Sequence, residues 1–398
     1  MPPHPPIADR TIRARWTWHR GRFIEGLRVT TQGDRIVQIS SEAQPDEERR
    51  DDWLLLPGLV NAHTHLEFSG LSQPVSHAGT FASWIRAVVH WRRQQNDASH
   101  LSALRQGLEE STAAGVAAIG EIATRSTSCD LYSTDPFQVV FREALGLSAT
   151  AVSGQLEQAR SHLSSSRNDA RQRPGLSPHA PYSLHRDLFQ GIVDLAQSQA
   201  CPLAMHLAET EEELELLSSG TGPLAELFSE WGLWKVGQPA PFRDPLEVLR
   251  SLEPLPNVLV IHGNYLTPRE HDFLAGKENF TVVYCPRTHS YFGHRPYPLS
   301  ELLRRRVRVA LGTDSRASNP DLNVLLDLRH AVRQHPEVAP TAWIEMVTSH
   351  GAAALGQNEQ YGAIEIGYPA KFCKLTIPAG MTDPLETVLD SGAVHSST

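Results

Sequence analysis

The sequence predicts an α/β protein whose main domain is a closed parallel barrel, and two features of the chain support this. After residue 56, eight short apolar runs alternate with longer segments of helical spacing, the order that builds a parallel sheet. Most of these runs end in a histidine or an acidic residue, which is where barrel enzymes assemble their active sites. We therefore expect a (β/α)8 TIM-type barrel with a small β-sandwich domain built from the N- and C-terminal segments.

The N-terminal segment has the pattern of short strands separated by turns. Strands are predicted over residues 11–18, 27–30 and 36–39, with turn signals at Gly21 and Gly33. We expect three regions: residues 1–56 as the first part of the small β-domain, 57–357 as the barrel, and 358–398 as the return to the small domain.

The barrel elements follow from the alternation of apolar and helical segments. The predicted strands cover residues 54–60, 117–121, 139–143, 175–179, 203–206, 258–262, 281–285 and 309–314. Predicted helices cover residues 81–93, 101–114, 186–199 and 299–306, and a further helix over 343–355 follows the barrel.

Composition narrows the classes of partner. The formal net charge is −9 and no basic cluster is present, so a small-molecule substrate is expected and nucleic acid is not. The N-terminus has no apolar signal region and the chain has no long uncharged apolar span, which predicts a cytoplasmic protein without membrane contact. The sequence leaves open whether the protein forms a homodimer.

The cysteines are far apart and predict neither disulfides nor a thiolate metal site; they are Cys129, Cys201, Cys285 and Cys373.

The most informative stretch is His63-Thr64-His65, directly after an apolar run. Residues at i and i+2 of a strand project from the same face, so both imidazoles can bind one metal ion. A single histidine at a strand end is more often structural. The coincidence of polar residues at the ends of several strands is what favours a reaction centre.

Five motifs together resemble the amidohydrolase superfamily, in particular its cytosine deaminase-like and triazine hydrolase-like members. They lie at residues 57–65 (PGLVNAHTH), 177–183 (SPHAPYS), 206–210 (HLAET), 262–264 (HGN) and 311–315 (LGTDS). The segment 65–69 (HLEFS), followed by Phe81 and Trp84, is most similar to aminofutalosine deaminases, with adenosine-type and S-adenosylhomocysteine-type deaminases close behind. One departure follows Gly367: relatives commonly have Ala-Asp next, and this chain has Ala370-Lys371.

The resemblance implies a ligand set and two further catalytic groups. It implies that His63, His65, His206 and Asp314 bind one divalent metal ion, Zn2+ or Fe2+. It places His262 beside the metal-bound water and makes Glu209 the proton shuttle, while Asp314 can also receive the proton of the water. Bound water whose pKa falls to about 7 would supply hydroxide at neutral pH.

The lysines bear on the number of metal ions. Related binuclear enzymes bridge two ions with a carboxylated lysine on a middle strand, but none of the first five predicted strands contains one; the lysines are Lys235, Lys277, Lys371 and Lys374. A mononuclear site follows, unless Glu121 or Glu143 supplies a bridging carboxylate.

Other polar and aromatic residues are candidates for substrate contact. His179 matches a family position that faces the substrate. Residues that could line the pocket are Glu67, Phe68, Trp84, Arg142, Arg316 and Ser318. The acidic run from Glu209 to Glu213 is expected to be a solvated helix start in which only Glu209 has a chemical role.

The expected function is hydrolytic deamination of an amino-substituted heterocycle, purine nucleoside-like, such as aminofutalosine or an adenosine derivative. Hydroxide adds to the amidine carbon, Glu209 transfers protons, and ammonia leaves. Two alternatives stay open. The same site could displace chloride or an alkylamine from a triazine or open a cyclic amide, or the barrel could be a non-catalytic scaffold, against which the retained site residues argue.

Overall fold

A computed structural model describes residues 10–43, 47–125, 135–165, 168–169 and 171–389. The strands are β1 (Arg10–His19), β2 (Arg22–Glu25), β3 (Arg28–Gln32), β4 (Arg35–Ser40), β5 (Glu47–Pro57), β6 (Leu59–His65), β7 (Val116–Ala123), β8 (Phe137–Ala144), β9 (Gln172–Pro178), β10 (Leu203–Leu207), β11 (Val258–His262), β12 (Phe280–Tyr284), β13 (Val309–Leu311), β14 (Asp314–Ser315) and β15 (Phe372–Thr376).

The helices alternate with the strands from β6 onward. They are α1 (Phe81–Arg93), α2 (Asp97–Ala113), α3 (Ala149–Ser165), α4 (Arg186–Gln199), α5 (Glu211–Ser219), α6 (Pro223–Glu230), α7 (Pro245–Leu252), α8 (Pro268–Leu274), α9 (Pro286–Tyr291), α10 (Leu299–Arg304), α11 (Val324–Gln334), α12 (Pro340–Met346), α13 (Ser349–Ala354) and α14 (Pro384–Leu389). Among the described residues, no helix is long and apolar enough to cross a membrane.

Strands β6 to β14 form one parallel sheet that closes on itself, which confirms the predicted barrel. β13 pairs with β12, and β14 pairs with β6. The two residues between β13 and β14 bridge both neighbours: Gly312 N–H donates to the Tyr284 carbonyl at 3.0 Å and Thr313 N–H to the His63 carbonyl at 3.1 Å. β13 and β14 are therefore two parts of one eighth strand, and the carboxyl ends of all eight strands lie at one rim.

The core has two layers. The barrel interior contains small and branched side chains such as Val60, Ala204 and Ile261, while a larger cluster lies between the strands and the surrounding helices. The close packing of the first two strands requires glycine at Gly120, where a Cβ atom would lie 2.3 Å from the Ala62 carbonyl oxygen. Tight packing of this kind fixes the strand ends that carry the site.

The N- and C-terminal segments share a second sheet of order β15-β5-β1-β3-β4, with β2 paired to β1. One face of it packs against the barrel helices through Trp16, Leu54 and Leu56, and the other face covers a small core that includes Val29 and Trp53. The described residues of the small domain therefore form one sheet to which both terminal segments contribute, as predicted, and this sheet has a core of its own.

Two predictions outside the barrel strands differ from the structure. The helix predicted over 343–355 is two helices, α12 and α13, separated at Val347 and Thr348. The return strand begins only at Phe372, since Gly362 and Gly367 adopt φ of +83° and +88°, which is incompatible with a strand.

Lys371 joins the small sheet to the barrel. Its carbonyl accepts a hydrogen bond from Gly58 N–H at 2.9 Å, and its ammonium pairs with Asp135. The junction that lacks the relatives' carboxylate is therefore held by a lysine. Cys201, Cys285 and Cys373 are free thiols, and Cys129 lies outside the described residues.

Candidate metal centre and active site

Two histidines of β6 begin the site. His63 and His65 project from the same face of the strand, and both are buried. Their Nε2 atoms lie 3.5 and 3.6 Å from Oδ1 of Asp314, the first residue of β14. The pairing of β14 with β6 is what places the carboxylate beside both rings.

The third imidazole comes from His206 of β10. Its Nδ1 lies 3.1 Å from the His179 carbonyl, and because a carbonyl only accepts, Nδ1 carries the hydrogen. Burial lowers the pKa of His206 well below its ordinary value, so the ring is neutral and its Nε2 has a free lone pair. The ligand atoms of His63, His65 and His206 lie within 4.8 Å of one another.

Asp314 is oriented by its own loop. Ser315 N–H donates to its Oδ1 at 2.7 Å, and the Ser318 hydroxyl donates to its Oδ2 at 3.3 Å. Burial acts to raise the pKa of Asp314, but the neighbouring histidines, His63 first, hold it below its usual range. The carboxylate is therefore ionised at neutral pH.

A divalent metal ion fits this group of side chains. Among the described residues, both ring nitrogens of His63 and the Nδ1 of His65 are buried without a hydrogen-bond partner. Buried polar atoms are rarely left so, and an ion between the rings would satisfy a lone pair of His63. Three imidazoles and one carboxylate are a donor set that zinc and iron both accept.

Glu209 and His262 form a pair beside the possible ligands. Glu209 Oε1 lies 3.5 Å from Nε2 of His262, and both side chains are buried. Burial, then the charges of Asp314 and Glu213, raise the pKa of Glu209 well above its ordinary value. Burial lowers the pKa of His262 to about 3, so this imidazole is neutral and can accept or donate one hydrogen bond at each nitrogen.

The acidic run after β10 is not the solvated helix start that was expected. Glu212 accepts hydrogen bonds from Phe81 N–H at 2.8 Å and Ala82 N–H at 3.0 Å, at the start of α1. Glu213 is fully buried, and burial raises its pKa to about 7 against the lowering effect of nearby backbone N–H groups. Of the acids in this run only Glu211 is exposed, and Glu215, which follows on the same helix, is exposed as well.

Two glutamates and a histidine from the ends of β7, β8 and β9 form one wall of the site. Glu121 of β7 accepts from Leu66 N–H at 2.9 Å, and burial raises its pKa. Glu143 of β8 lies 4.0 Å from Nε2 of His179, and burial raises the pKa of Glu143 to about 7. Within the described part of the chain the Glu143 carboxylate has no hydrogen-bond partner, although its side chain is only 3% exposed.

Arg142, the neighbour of Glu143, is bonded to the protein. Its guanidinium donates to the carbonyls of Ala123 and Thr124 and to the side chain of Gln158. These bonds tie the ends of β7 and β8 to α3.

The rim above β6 carries an ion pair that sequence reasoning missed. Arg92, near the end of α1, donates to Glu67 at 2.6 Å, and the Thr124 hydroxyl donates to the other Glu67 oxygen at 2.9 Å. The Arg92 guanidinium also lies 5.2 Å from the centre of the Phe68 ring. Nothing in the helical pattern of α1 marks Arg92, because a basic residue at a helix end is ordinarily solvated.

Aromatic side chains complete the rim. The buried Phe68 packs against Trp91 with ring centres 5.2 Å apart, and Trp84 stacks on Phe81 while its indole N–H donates to the Ala317 carbonyl at 3.2 Å. The remaining predicted pocket residues lie on the loop after β14. Ser318 is buried beside Asp314, and Arg316 pairs with Glu110 at 3.1 Å.

Comparison with known proteins identifies the group to which this arrangement belongs. A model of the amidohydrolase family matches residues 54–395. The chain belongs to this family. The match covers the whole barrel and every residue of the site described above.

Amidohydrolases similar to this chain include several named deaminases. The aminodeoxyfutalosine deaminase of a Nitratiruptor species is 27% identical over 343 residues, covering 84% of this chain and 82% of that one. The structure of Helicobacter pylori aminofutalosine deaminase with methylthio-coformycin aligns with a TM-score of 0.84 at 21% identity, covering 96% of this chain and 95% of that one. A Xanthomonas campestris adenosine deaminase with bound zinc aligns with a TM-score of 0.78 at 22% identity, covering 98% and 90%.

Proposed function

We propose that this chain is a metal-dependent hydrolytic deaminase of an amino-substituted heterocycle of the purine-nucleoside kind, such as aminodeoxyfutalosine or an adenosine derivative. The observation that supports it is the convergence, at one barrel rim, of a metal-binding donor set with the Glu209–His262 pair 3.5 Å apart. Membership of the amidohydrolase family and the deaminases among its relatives point the same way.

The proposed ligands are His63, His65, His206 and Asp314, and they hold one ion. Zinc is the first choice, since the related adenosine deaminase structure contains it, and iron suits the same donors. When bound, the ion acts as a Lewis acid and lowers the pKa of a water molecule to about 7. None of the described barrel strands carries a lysine that could bridge a second ion.

Three side chains of the protein, Asp314, His262 and Glu209, then transfer the protons or orient the water. The ionised Asp314 accepts a proton from the attacking water, and the neutral His262 orients that water by hydrogen bonding. The raised pKa of Glu209 favours its protonated form, which donates to a ring nitrogen as the water oxygen bonds to the amidine carbon. The bond from carbon to the exocyclic nitrogen then breaks, and the nitrogen leaves as ammonia with the proton that Asp314 took from water. The remaining hydroxyl proton passes to the Glu209 carboxylate as the carbonyl forms, which restores the protonated glutamic acid.

The substrate contacts and the domain limits are also proposals. We assign substrate contact to His179, Glu67, Phe68, Trp84, Arg142 and Ser318. Phe68 and Trp84 offer flat faces for a heterocycle, whereas Glu67 and Arg142 already have protein partners and would act by shaping the wall. The proposed domains are residues 1–56 and 358–398 for the small domain and 57–357 for the barrel.

An ammonia-release assay tests the function. Zinc-loaded protein is incubated with aminodeoxyfutalosine, adenosine and S-adenosylhomocysteine, beside Glu209→Gln and the matched change Glu211→Gln at an exposed position of the same run. We expect release from at least one substrate, slowed roughly 10²- to 10⁴-fold in the first variant and kept at the wild-type rate in the second. Release of chloride or of a ring-opened acid from triazines or cyclic amides, without ammonia from any nucleoside, would replace deamination by another hydrolysis. No turnover and no bound metal would indicate a scaffold.

A further inference from the structure

The buried carboxylate of Glu213 holds the backbone on which Glu209 sits. Ala208 N–H donates to its Oε1 at 2.9 Å, and Glu209 N–H donates to its Oε2 at 2.8 Å. The Thr210 side chain accepts in return from Glu213 N–H at 3.1 Å. A glutamate three residues after a threonine N-cap usually bonds to the N-cap N–H alone, so this carboxylate reaches two residues further back than a capping box requires.

A second side chain holds the same segment from the other side. Asn264, in the loop that follows His262, donates from its side-chain amide to the Glu209 carbonyl at 3.0 Å. Tyr265 N–H donates to the Ala208 carbonyl at 2.9 Å. Both backbone groups of Glu209 are therefore fixed, one from α5 and one from the loop after β11.

The fixed backbone has an unusual conformation. Ala208 has φ of +52°, a left-handed value that a residue with a side chain seldom adopts. Such a conformation persists only where surrounding contacts determine it. The two N–H groups bound by Glu213 belong to Ala208 and Glu209, and they lie on either side of the Ala208 Cα. The contact therefore stabilises the turn that directs Glu209 toward His262.

We infer that Glu213 and Asn264 are positioning residues that hold the Glu209 carboxyl at His262, and that Glu213 acts on the reaction only through Glu209. The inference rests on the proposed function, which gives Glu209 the proton transfer. Neither residue is needed as a metal ligand or a substrate contact.

The test is a double-mutant cycle on the zinc-loaded enzyme. Glu213→Gln keeps the shape but leaves one acceptor oxygen for two N–H groups, so we expect kcat to fall roughly tenfold to a hundredfold with KM and zinc content unchanged. The Glu209→Gln/Glu213→Gln protein should be no slower than Glu209→Gln alone, because a residue acting through another is not additive with it. Glu215→Gln, an exposed change on the same helix, should have wild-type kcat.

Hydrogen–deuterium exchange supplies a readout that does not depend on activity. The peptide covering residues 203–212 should exchange faster in Glu213→Gln than in the wild type. If Glu213→Gln does not fold, Asn264→Ala serves instead, with a several-fold loss of kcat expected and the same non-additivity.

The outcomes separate the two proposals. Three results would each overturn the positioning role and leave the deaminase proposal standing. They are full activity of Glu213→Gln beside a strongly slowed Glu209→Gln, additive losses in the double variant, and unchanged exchange. Full activity of Glu209→Gln would remove Glu209 from the mechanism and the positioning role with it, whereas a wild-type protein that releases no ammonia from any nucleoside would overturn the deaminase proposal.

Discussion

Replacing Gly312 with alanine tests how tightly the closing strand of the barrel fits against the first histidine. A Cβ atom at Gly312 would lie 2.9 Å from the His63 Cβ, 3.0 Å from the His63 carbonyl oxygen and 3.0 Å from a methyl group of Val283. Three contacts of that length cannot be relieved by moving one flexible atom. Overpacking of a core costs about 1–3 kcal/mol, so we expect the free energy of unfolding to fall by that amount.

The same change should weaken metal binding, because His63 must shift and it is a proposed ligand. Urea unfolding gives the stability, and elemental analysis after dialysis against a weak chelator gives the zinc content. Gly154→Ala is the control, with an effect of opposite sign. No described residue lies within 4 Å of a Cβ atom added to this exposed glycine of α3, so alanine there should stabilise the protein by roughly 0.5–1 kcal/mol. A Gly312→Ala protein as stable and as rich in zinc as the wild type would refute the reasoning.

Three further outcomes are expected. Glu143→Gln should lower kcat/KM more for a nucleoside with ribose hydroxyls than for its dideoxy analogue. The Glu143 carboxylate, which has no hydrogen-bond partner among the described residues and lies 4.0 Å from His179, can accept from a substrate hydroxyl; equal losses would contradict this. Arg92→Met should destabilise the protein by roughly 1.5–3 kcal/mol in urea unfolding, since it leaves the buried Glu67 without its charged partner, and the double change with Glu67→Gln should recover part of the loss. Burial lowers the pKa of His162 to about 4, so the stability it provides is complete above its ordinary value of 6.5 and is lost as pH falls from 6.5 toward 4; His162→Gln should flatten the fall of unfolding free energy over that window.

The barrel and its rim could be predicted because the relevant signal is local. An apolar run that ends in a histidine or an acidic residue predicts both a strand and a polar side chain at the carboxyl end of that strand. Parallel strands bring these ends together at one rim of the barrel. The i, i+2 spacing of His63 and His65 needs no tertiary information at all. The structure places His206, Asp314 and His262 beside them and Glu209 beside His262, a set that the resemblance to amidohydrolases implied and the strand pattern alone did not.

What could not be predicted depends on contacts distant in the chain. β5 begins with a run of charged residues that resembles a loop, but Glu47, Glu48 and Asp51 are paired with arginines of β1 and β3. Residues 211–215 contain four glutamates in five positions, and the composition of this segment does not distinguish the buried Glu213 from the exposed Glu215. The one available signal was the threonine three residues before Glu213, which has the spacing of a capping box.

Backbone strain divides the site into two kinds of residue. Six non-glycine residues of the described chain have positive φ; three lie at a turn or a helix end, and the other three are Ala208, His262 and Asp314. The three proposed proton-handling groups therefore lie on or directly after strained residues, whereas His63, His65 and His206 lie on strands and none of them has a positive φ. Each strained residue costs about 1–3 kcal/mol and needs contacts that determine it.

Those contacts are present at every strained position of the site. Ala208 is held by Glu213, the His262 carbonyl accepts from the Tyr297 hydroxyl at 2.9 Å, and the Asp314 carbonyl accepts from the Thr64 hydroxyl at 3.2 Å. All of the donors and acceptors belong to the polypeptide. The backbone that carries the three proposed proton-handling side chains is therefore held by groups of the protein itself, which is the kind of preorganisation that makes electrostatic catalysis effective.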